Sequence, residues 1–383
     1  MAEVRPFQER DLSEVAALFA RVYPDGGWSS PAACAAYFQE MFFGNPWADA
    51  SLPSWVARDG DRTVGFIGVV PRPMRLRSKP VRAAVLTQLM IDPQDKRYGL
   101  AAAQLLRAAV AGPQDLTLSD GANEASRRMW EANGGSILTL YGLQWRRLLR
   151  PARCALGMLP GMAGRAAAMV AAPMAIAADA YMTRRMGLGR KSALLELPLT
   201  ATSLVNALET FGAGYSLRPR YDVPSLDWLL AQARAKRRHG ELQAQLLRQG
   251  GRIAGWFLYY LNGGTSKVLQ LAARPGAEES VLAHLFQHAW RRGAAAIEGR
   301  MEPRFARALS RQHCFFVVPS IFVAAHSRSS ELLNALGAGD AFFSRLEGEW
   351  WMRFFGEANR QPGEATEGRR LPWARPRPQP AAP

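Results

Sequence analysis

The chain has 383 residues, enough for two domains of ordinary size, and its 48% hydrophobic content is that of a folded globular protein. A formal net charge of +16 favours anionic partners such as a nucleotide, a nucleic acid, an anionic lipid or an acidic glycan. Cys34, Cys154 and Cys314 are far apart and form no Cys-x-x-Cys pair, which argues against a disulfide framework or a cysteine zinc site and for a reducing, cytoplasmic setting; Met1-Ala-Glu-Val-Arg-Pro lacks the apolar run of a secretory signal.

Residues 4–23 read as a strand and then a helix with Val15, Leu18, Phe19 and Val22 on its apolar stripe and Asp11 or Ser13 as its cap. Trp55–Ala57 and Thr63–Val70 read as strands joined at Asp59-Gly60, a hairpin turn signal. A strand over 83–92 ends at Asp92-Pro93 and is followed by the basic turn Lys96-Arg97-Tyr98-Gly99-Leu100-Ala101, which opens an Ala/Leu helix over 99–111. Free amides, a glycine and two cations at a helix N-terminus are what a pyrophosphate needs. The plain alternative is that Gly99 only starts the helix and the cations are solvated. A short strand follows at Leu116–Ser119, then a helix over Glu124–Asn133 closed by Gly134-Gly135. Ser136–Trp145 reads as mostly strand.

The turn Lys96-x-x-Gly99-x-Ala101 resembles the acyl-CoA-binding pattern Arg/Gln-x-x-Gly-x-Gly/Ala of the GNAT (Gcn5-related) N-acetyltransferases. Asn123-Glu-Ala-Ser-Arg-Arg-Met-Trp-Glu-Ala-Asn-Gly134 resembles that family's Asn-x-x-Ala-x-x-x-Tyr-x-x-x-Gly-Phe, with Ser126 for Ala, Trp130 for Tyr and Gly135 for Phe. The resemblance implies that the amides of Tyr98, Gly99, Leu100 and Ala101, aided by Lys96 and Arg97, hold the pyrophosphate of acetyl-CoA or another acyl-CoA. It implies that the strand Leu86–Asp92 splays from its neighbour and pairs with pantetheine like an added strand. An amide near Leu89, Met90 or Ile91 then polarises the acyl carbonyl. Asn123 would help hold the pantetheine arm, and it is equally a helix cap. The family's Tyr often protonates the departing thiolate; an indole at Trp130 donates a hydrogen bond but no proton at neutral pH. Asp120, Glu124 and Tyr141 are weak candidates for a base, and none is assigned.

Between Gln144 and Lys191 stand nine Arg/Lys and one acid, Asp179, so this segment holds half of the chain's net charge. Pro160 and Pro173 are expected to break it into short helices, and Met174, Ala178, Tyr181 and Met182 fall on one helical face. It reads either as a helical linker packed on a domain or as a surface for anionic membrane. Its prolines and charges argue against a transmembrane span, and nothing in it marks a nucleic-acid reader.

The second half echoes the first. Gln243–Tyr260 matches Trp55–Val70, with Gly255 at the place of Gly65, and Val268–Pro275 matches Leu86–Pro93. Its turn, Gly276-Ala-Glu-Glu-Ser280, holds two acids and no cation, so it should repel a phosphate. His284 and His288 lack the glutamate and third ligand of a zinc hydrolase and are expected to be packing or surface residues, so no metal is expected.

The expectation is an α/β (α+β) chain of two GNAT-like mixed-sheet domains flanked by helices. Residues 1–150 bind acyl-CoA, 151–192 form the basic linker, and 193–356 are a degenerate copy that shapes the acceptor pocket. Residues 357–383 form a disordered Pro-rich tail. The function expected from the resemblance is acetyl transfer to the amine of a small molecule or amino sugar. The competing expectation is a non-catalytic CoA-binding or membrane-peripheral protein.

Overall fold

The computed structural model describes residues 2–95, 98–159, 161–188, 192–212, 214–318 and 321–355. Lys96, Arg97 and the expected tail over 357–383 lie outside the described residues. In the first half the order is β1 (Glu3–Pro6), α1 (Leu12–Val22), α2 (Pro31–Phe42), β2 (Trp55–Asp59), β3 (Arg62–Leu76), β4 (Lys79–Ile91), α3 (Tyr98–Val110), β5 (Leu116–Ala122), α4 (Glu124–Ala132), β6 (Ser136–Ile137) and α5 (Thr139–Gly142). Next come β7 (Gln144–Leu148), α6 (Pro151–Gly157) and α7 (Gly161–Arg185). The second half holds β8 (Leu195–Pro198), α8 (Ala201–Gly212), β9 (Leu217–Pro219), α9 (Val223–Ala235), β10 (Glu241–Gln249), β11 (Arg252–Leu261), β12 (Thr265–Ala273), α10 (Glu278–Arg291), β13 (Ala296–Arg300), α11 (Ala306–Arg311), β14 (Phe315–Val317), β15 (Phe322–His326) and α12 (Ser330–Gly337).

Two mixed sheets result. One runs β1-β2-β3-β4-β5-β15-β6 with β9 added beside β3; the other runs β14-β7-β13-β12-β11-β10-β8. The repeat seen in the sequence is physical. In both sheets an antiparallel hairpin, β2–β3 or β10–β11, leads to a strand carrying one extra residue, at Gln88–Leu89 in β4 and at Leu269 in β12. Gly65 and Gly255 lie under the helix that follows. A Cβ on Gly65 would meet Leu105 and Ile91, and one on Gly255 would meet the Ala272 carbonyl and Val281 of α10. Each glycine lets its helix approach the sheet.

The halves also exchange strands. β7, from the first half, pairs with β13 and β14, while β15, from the second, is inserted between β5 and β6. The single strand expected over Ser136–Trp145 is therefore corrected to β6, the turn of α5, and the start of β7 in the other sheet. The apolar residues that suggested a strand serve a helical turn: Tyr141 is fully buried and its hydroxyl donates to the Ala341 carbonyl at 2.6 Å. Trp145 packs on Gly299 and donates to the Arg300 carbonyl. One core joins the halves, with Tyr37, Phe38 and Met41 of α2 packed among Leu226, Leu229, Trp256 and Trp351.

The expectation that Pro173 breaks the basic segment is also corrected. Pro173 lies inside α7, a continuous helix of 25 residues. Its neighbours are mostly alanine, the best helix former, and the carbonyl that Pro173 leaves unbonded is on a solvent-facing stretch.

Candidate acyl-transfer site

β4 and β5 run parallel but pair only over Ala83–Val85 with Leu116–Leu118. Beyond Val85 the two strands diverge. Among the described residues no strand pairs with this side of β4 from Leu86 to Ile91, so a wedge with an open backbone edge lies between them. The bulge aims β4 into the wedge: Gln88 has φ +52°, a conformation rare for a residue with a side chain, and two residues oppose Ile67 alone. Because β4 and β5 are parallel, α3 and α4 both begin at the same end of the wedge.

The expected cofactor residues divide by role. Gly99 and Leu100 are exposed at the start of α3, and a Cβ on Gly99 would touch nothing within 4 Å, so space lies over the first turn. The first amides of α3 have no helical carbonyl to bond. Ala101 is buried against the sheet and presents only its backbone. Leu89 is half-buried, and Met90 and Ile91 point into the core, so these three also offer backbone only. Asp92 ends β4 as a structural clasp. Burial works against its charge, but the Gln94 amide, Arg21 at 2.8 Å and Arg62 hold its carboxyl below the usual range. Asn123 caps α4, its Oδ1 accepting from the Ser126 amide at 2.9 Å, which leaves the side-chain N–H groups for a ligand. Trp130 is buried between α4 and the sheet, in contact with Gly135, and is a packing residue.

The three base candidates fare differently. Glu124 is spent on Arg127 and Arg128 on the surface of α4. Tyr141 is locked by Ala341. Asp120 lies on β5 just past the divergence, buried, with Arg300 at 2.8 Å. It also accepts the amide of Glu349 at 2.8 Å. Glu349 arrives from the far end of the chain and is half-buried. Burial and then the charge of Asp120 push its carboxyl up to about 8, against smaller pulls from Thr87 of β4 and from Lys236. Two glycines make the meeting possible. A Cβ on Gly121 would collide with the Glu349 carboxylate, and one on Gly348 with that of Asp120. Lys236 donates to the Trp350 carbonyl and so pins this segment; burial and then Arg238 push its ammonium down to about 7.

Around the bulge, the Gln88 Nε2 donates to the Tyr37 hydroxyl at 3.3 Å, the Thr87 hydroxyl faces the Glu349 carboxyl, and the Gln88 Oε1 is buried without a hydrogen-bond partner. Such an orphaned atom beside the wedge is ready for a bound molecule. Glu40 of α2, Gln232 of α9 and Arg353 are bonded together at its rim. The unpaired β4 edge, the start of α3 with open space above Gly99 and the unpartnered Gln88 Oε1 fit an acyl-CoA thioester with an acceptor on the opposite side.

The fold is that of the GCN5-related N-acetyltransferases. A GCN5-related N-acetyltransferase from Anabaena variabilis superposes with a TM-score of 0.56 at 9% identity over 88% of this chain and 75% of its own. A GCN5-related N-acetyltransferase from Kribbella flavida gives 0.51 at 13% identity, over 88% and 73%. A probable N-acyltransferase from Enterococcus faecalis gives 0.54 at 8% identity, over 85% and 73%. No family model and no curated protein matches the sequence.

The second GNAT-like half has the same wedge, with its strand edge taken by the chain itself. β12 pairs with β13 only over Thr265–Lys267 with Ala296–Glu298. Phe343, Ser344 and Arg345 line the space beyond, and the buried Arg345 donates to the Val268 carbonyl on the open edge of β12. α10 begins with Glu278 and Glu279, as the sequence shows. His284 bonds to Glu196 at 2.7 Å and His288 to the Tyr259 hydroxyl at 2.8 Å, and no metal-type cluster occurs among the described residues.

Sequence reasoning missed Glu349, Thr87, Gln88 and Lys236. The one signal for Glu349 was local: Glu347-Gly-Glu-Trp-Trp351 places two acids in an apolar, tryptophan-rich run, where carboxylates need a reason to be.

Proposed function

We propose that the protein is an acyl-CoA-dependent N-acyltransferase with one cofactor site, in the first half, and with Glu349 as its general base. The observation that carries this reading is the meeting of Glu349 and Asp120 at the mouth of the open β4–β5 wedge. Acyl-CoA supplies an activated acyl group and a thiolate leaving group. The α3 amides, with Lys96 and Arg97, hold its diphosphate. The open edge of β4 pairs with pantetheine, and an amide of Leu89–Ile91 polarises the thioester carbonyl. The acceptor is a small amine or an amino sugar, and the acyl group is acetyl. Glu349 takes a proton from the acceptor nitrogen as the C–N bond forms and the C–S bond breaks. A carboxyl pushed up to about 8 is matched to that task far better than an ordinary one. Thiol release by the full chain with acetyl-CoA and a panel of amines and amino sugars is the test. Release that Glu349→Gln abolishes, with CoA binding intact, supports the reading. CoA binding without release from any acceptor, native mass spectrometry having shown which acyl-CoA is retained, overturns it in favour of a binding protein.

A further inference from the structure

α7 is built inside out for a water-facing helix. Within Ala166–Arg185 its buried residues are Ala175, Asp179 and Thr183, a narrow stripe spaced four apart. Asp179 accepts the amides of Ala152 and Arg153 and so caps α6, and Thr183 bonds back to the Asp179 carbonyl. The small and polar residues thus face the protein. The large apolar ones face outward: Val170 is 83% exposed, Met174 78% and Met169 73%, with Ile176, Tyr181 and Met182 also exposed. Met158 and Leu159, at the end of α6, are exposed as well. A soluble helix has the opposite pattern.

By length and composition alone Ala166–Arg185 could cross a bilayer. The strand exchange forbids it. The chain enters the segment from β7, which belongs to the second sheet, and leaves it toward β8 of that same sheet. Both ends are therefore on one side of any membrane. α6, seven residues long, rises only about 10 Å and cannot serve as a return span. An apolar hairpin with both ends on one body can only lie in one leaflet.

Charge names the surface. Arg153, at the start of α6, and Arg184 and Arg185, at the end of α7, are exposed, and Arg190 and Lys191 follow in the sequence. Between Met158 and Thr183 the ionisable residues are Arg165, Asp179 and Tyr181, and Asp179 is satisfied by α6. The same sheet edge bears the exposed Phe315, Phe316 and Val317 of β14, paired with the strand that leads into α6.

We propose that the α6–α7 hairpin docks the protein in the plane of an anionic phospholipid bilayer, its Met, Val and Ile side chains among the acyl chains and its arginines at the phosphates. The test is co-sedimentation of the full chain with phosphatidylcholine vesicles, with or without a quarter of phosphatidylglycerol. Binding should be stronger to the anionic vesicles and weaken with salt, since exposed charges are screened beyond about 8 Å at physiological ionic strength. Val170→Glu/Met174→Glu should abolish binding while thiol release with a soluble amine is unchanged; both residues are exposed, so folding is not at stake. Arg184→Glu/Arg185→Glu should weaken partition by more than about thirtyfold, since two surface cations are lost and two anions are added. Wild-type protein left in the supernatant with anionic vesicles at low salt overturns the proposal. So does a concentration-dependent dimer in sedimentation velocity that Val170→Glu/Met174→Glu abolishes without any vesicle binding, which would make a second copy of the chain the occupant.

Discussion

The two wedges are the same device with opposite fates. Each arises where a parallel strand pair stops pairing after three residues, beside a bulged strand, with a glycine below to admit the next helix. The first stays open, has an uncrowded glycine at its helix N-terminus and holds a raised carboxyl at its mouth. The second has two acids at its helix start and Arg345 bonded to the strand edge that a ligand would need. A single stretch of chain does both jobs: Phe343–Arg345 close the second wedge, and Glu349 a few residues later completes the first. The repeat survives as architecture; the second copy's open edge is taken by Arg345, and the same stretch carries Glu349 to the first wedge.

The largest effect should come from removing that base. Glu349→Gln should lower kcat/KM by about 100-fold or more, the usual share of general base catalysis. The sign of its pH dependence follows from the raised carboxyl. The base works only when ionised, so wild-type kcat/KM should climb as pH rises toward and through about 8, and the variant should lose that limb. A variant with an unchanged profile would show that Glu349 is only a packing partner of Asp120.

The packing of the two repeats should differ in tolerance. Gly255→Ala drives a methyl into the Ala272 backbone carbonyl, which cannot move away, whereas Gly65→Ala meets the ends of Leu105 at 2.8 Å and Ile91 at 2.9 Å, which can turn. Overpacking of this kind costs about 1–3 kcal/mol, and Gly255→Ala should fall at the upper end and Gly65→Ala at the lower in denaturant melts. Equal losses would mean that the two helices do not sit on their sheets alike.

Gly99→Glu should weaken acyl-CoA binding at least about tenfold, roughly 1.4 kcal/mol, without unfolding the protein, since the new side chain enters open space where the diphosphate would lie. Calorimetry with unchanged affinity would remove the diphosphate from the start of α3. The smallest expected effect is none. Glu278→Lys/Glu279→Lys should leave the stoichiometry at one CoA per chain, because Arg345 closes the second wedge whatever the charge at its mouth. An endpoint of two would show that charge alone had kept that site empty.

Much of the fold was legible because it rests on local signals. Alternation marked β2 and β3, Asp59-Gly60 set their turn at a φ of +60° for the glycine, and Gly134, at +77°, closed α4 where expected. The proposed cofactor side of the site could be argued from sequence for the same reason: a strand end, a turn and a helix start are neighbours in sequence. The acceptor side could not, because Asp120 and Glu349 are 229 residues apart and neither residue's neighbours announce the other. The exchange of β7 and β15 was hidden too. A strand's apolar pattern says that it will be buried in a sheet, not in which one, and a two-residue β6 with a helical turn after it can look like one longer strand. The sequence by itself determined the first-half strands β2, β3 and β4, the helices α3 and α4, and that one segment is basic and apolar at once. Only the tertiary structure decided which wedge stays open, which carboxylate is raised and which face of α7 meets solvent. Those depend on burial and on charges brought together from distant parts of the chain, and desolvation and Coulomb energy exist only once the chain has folded.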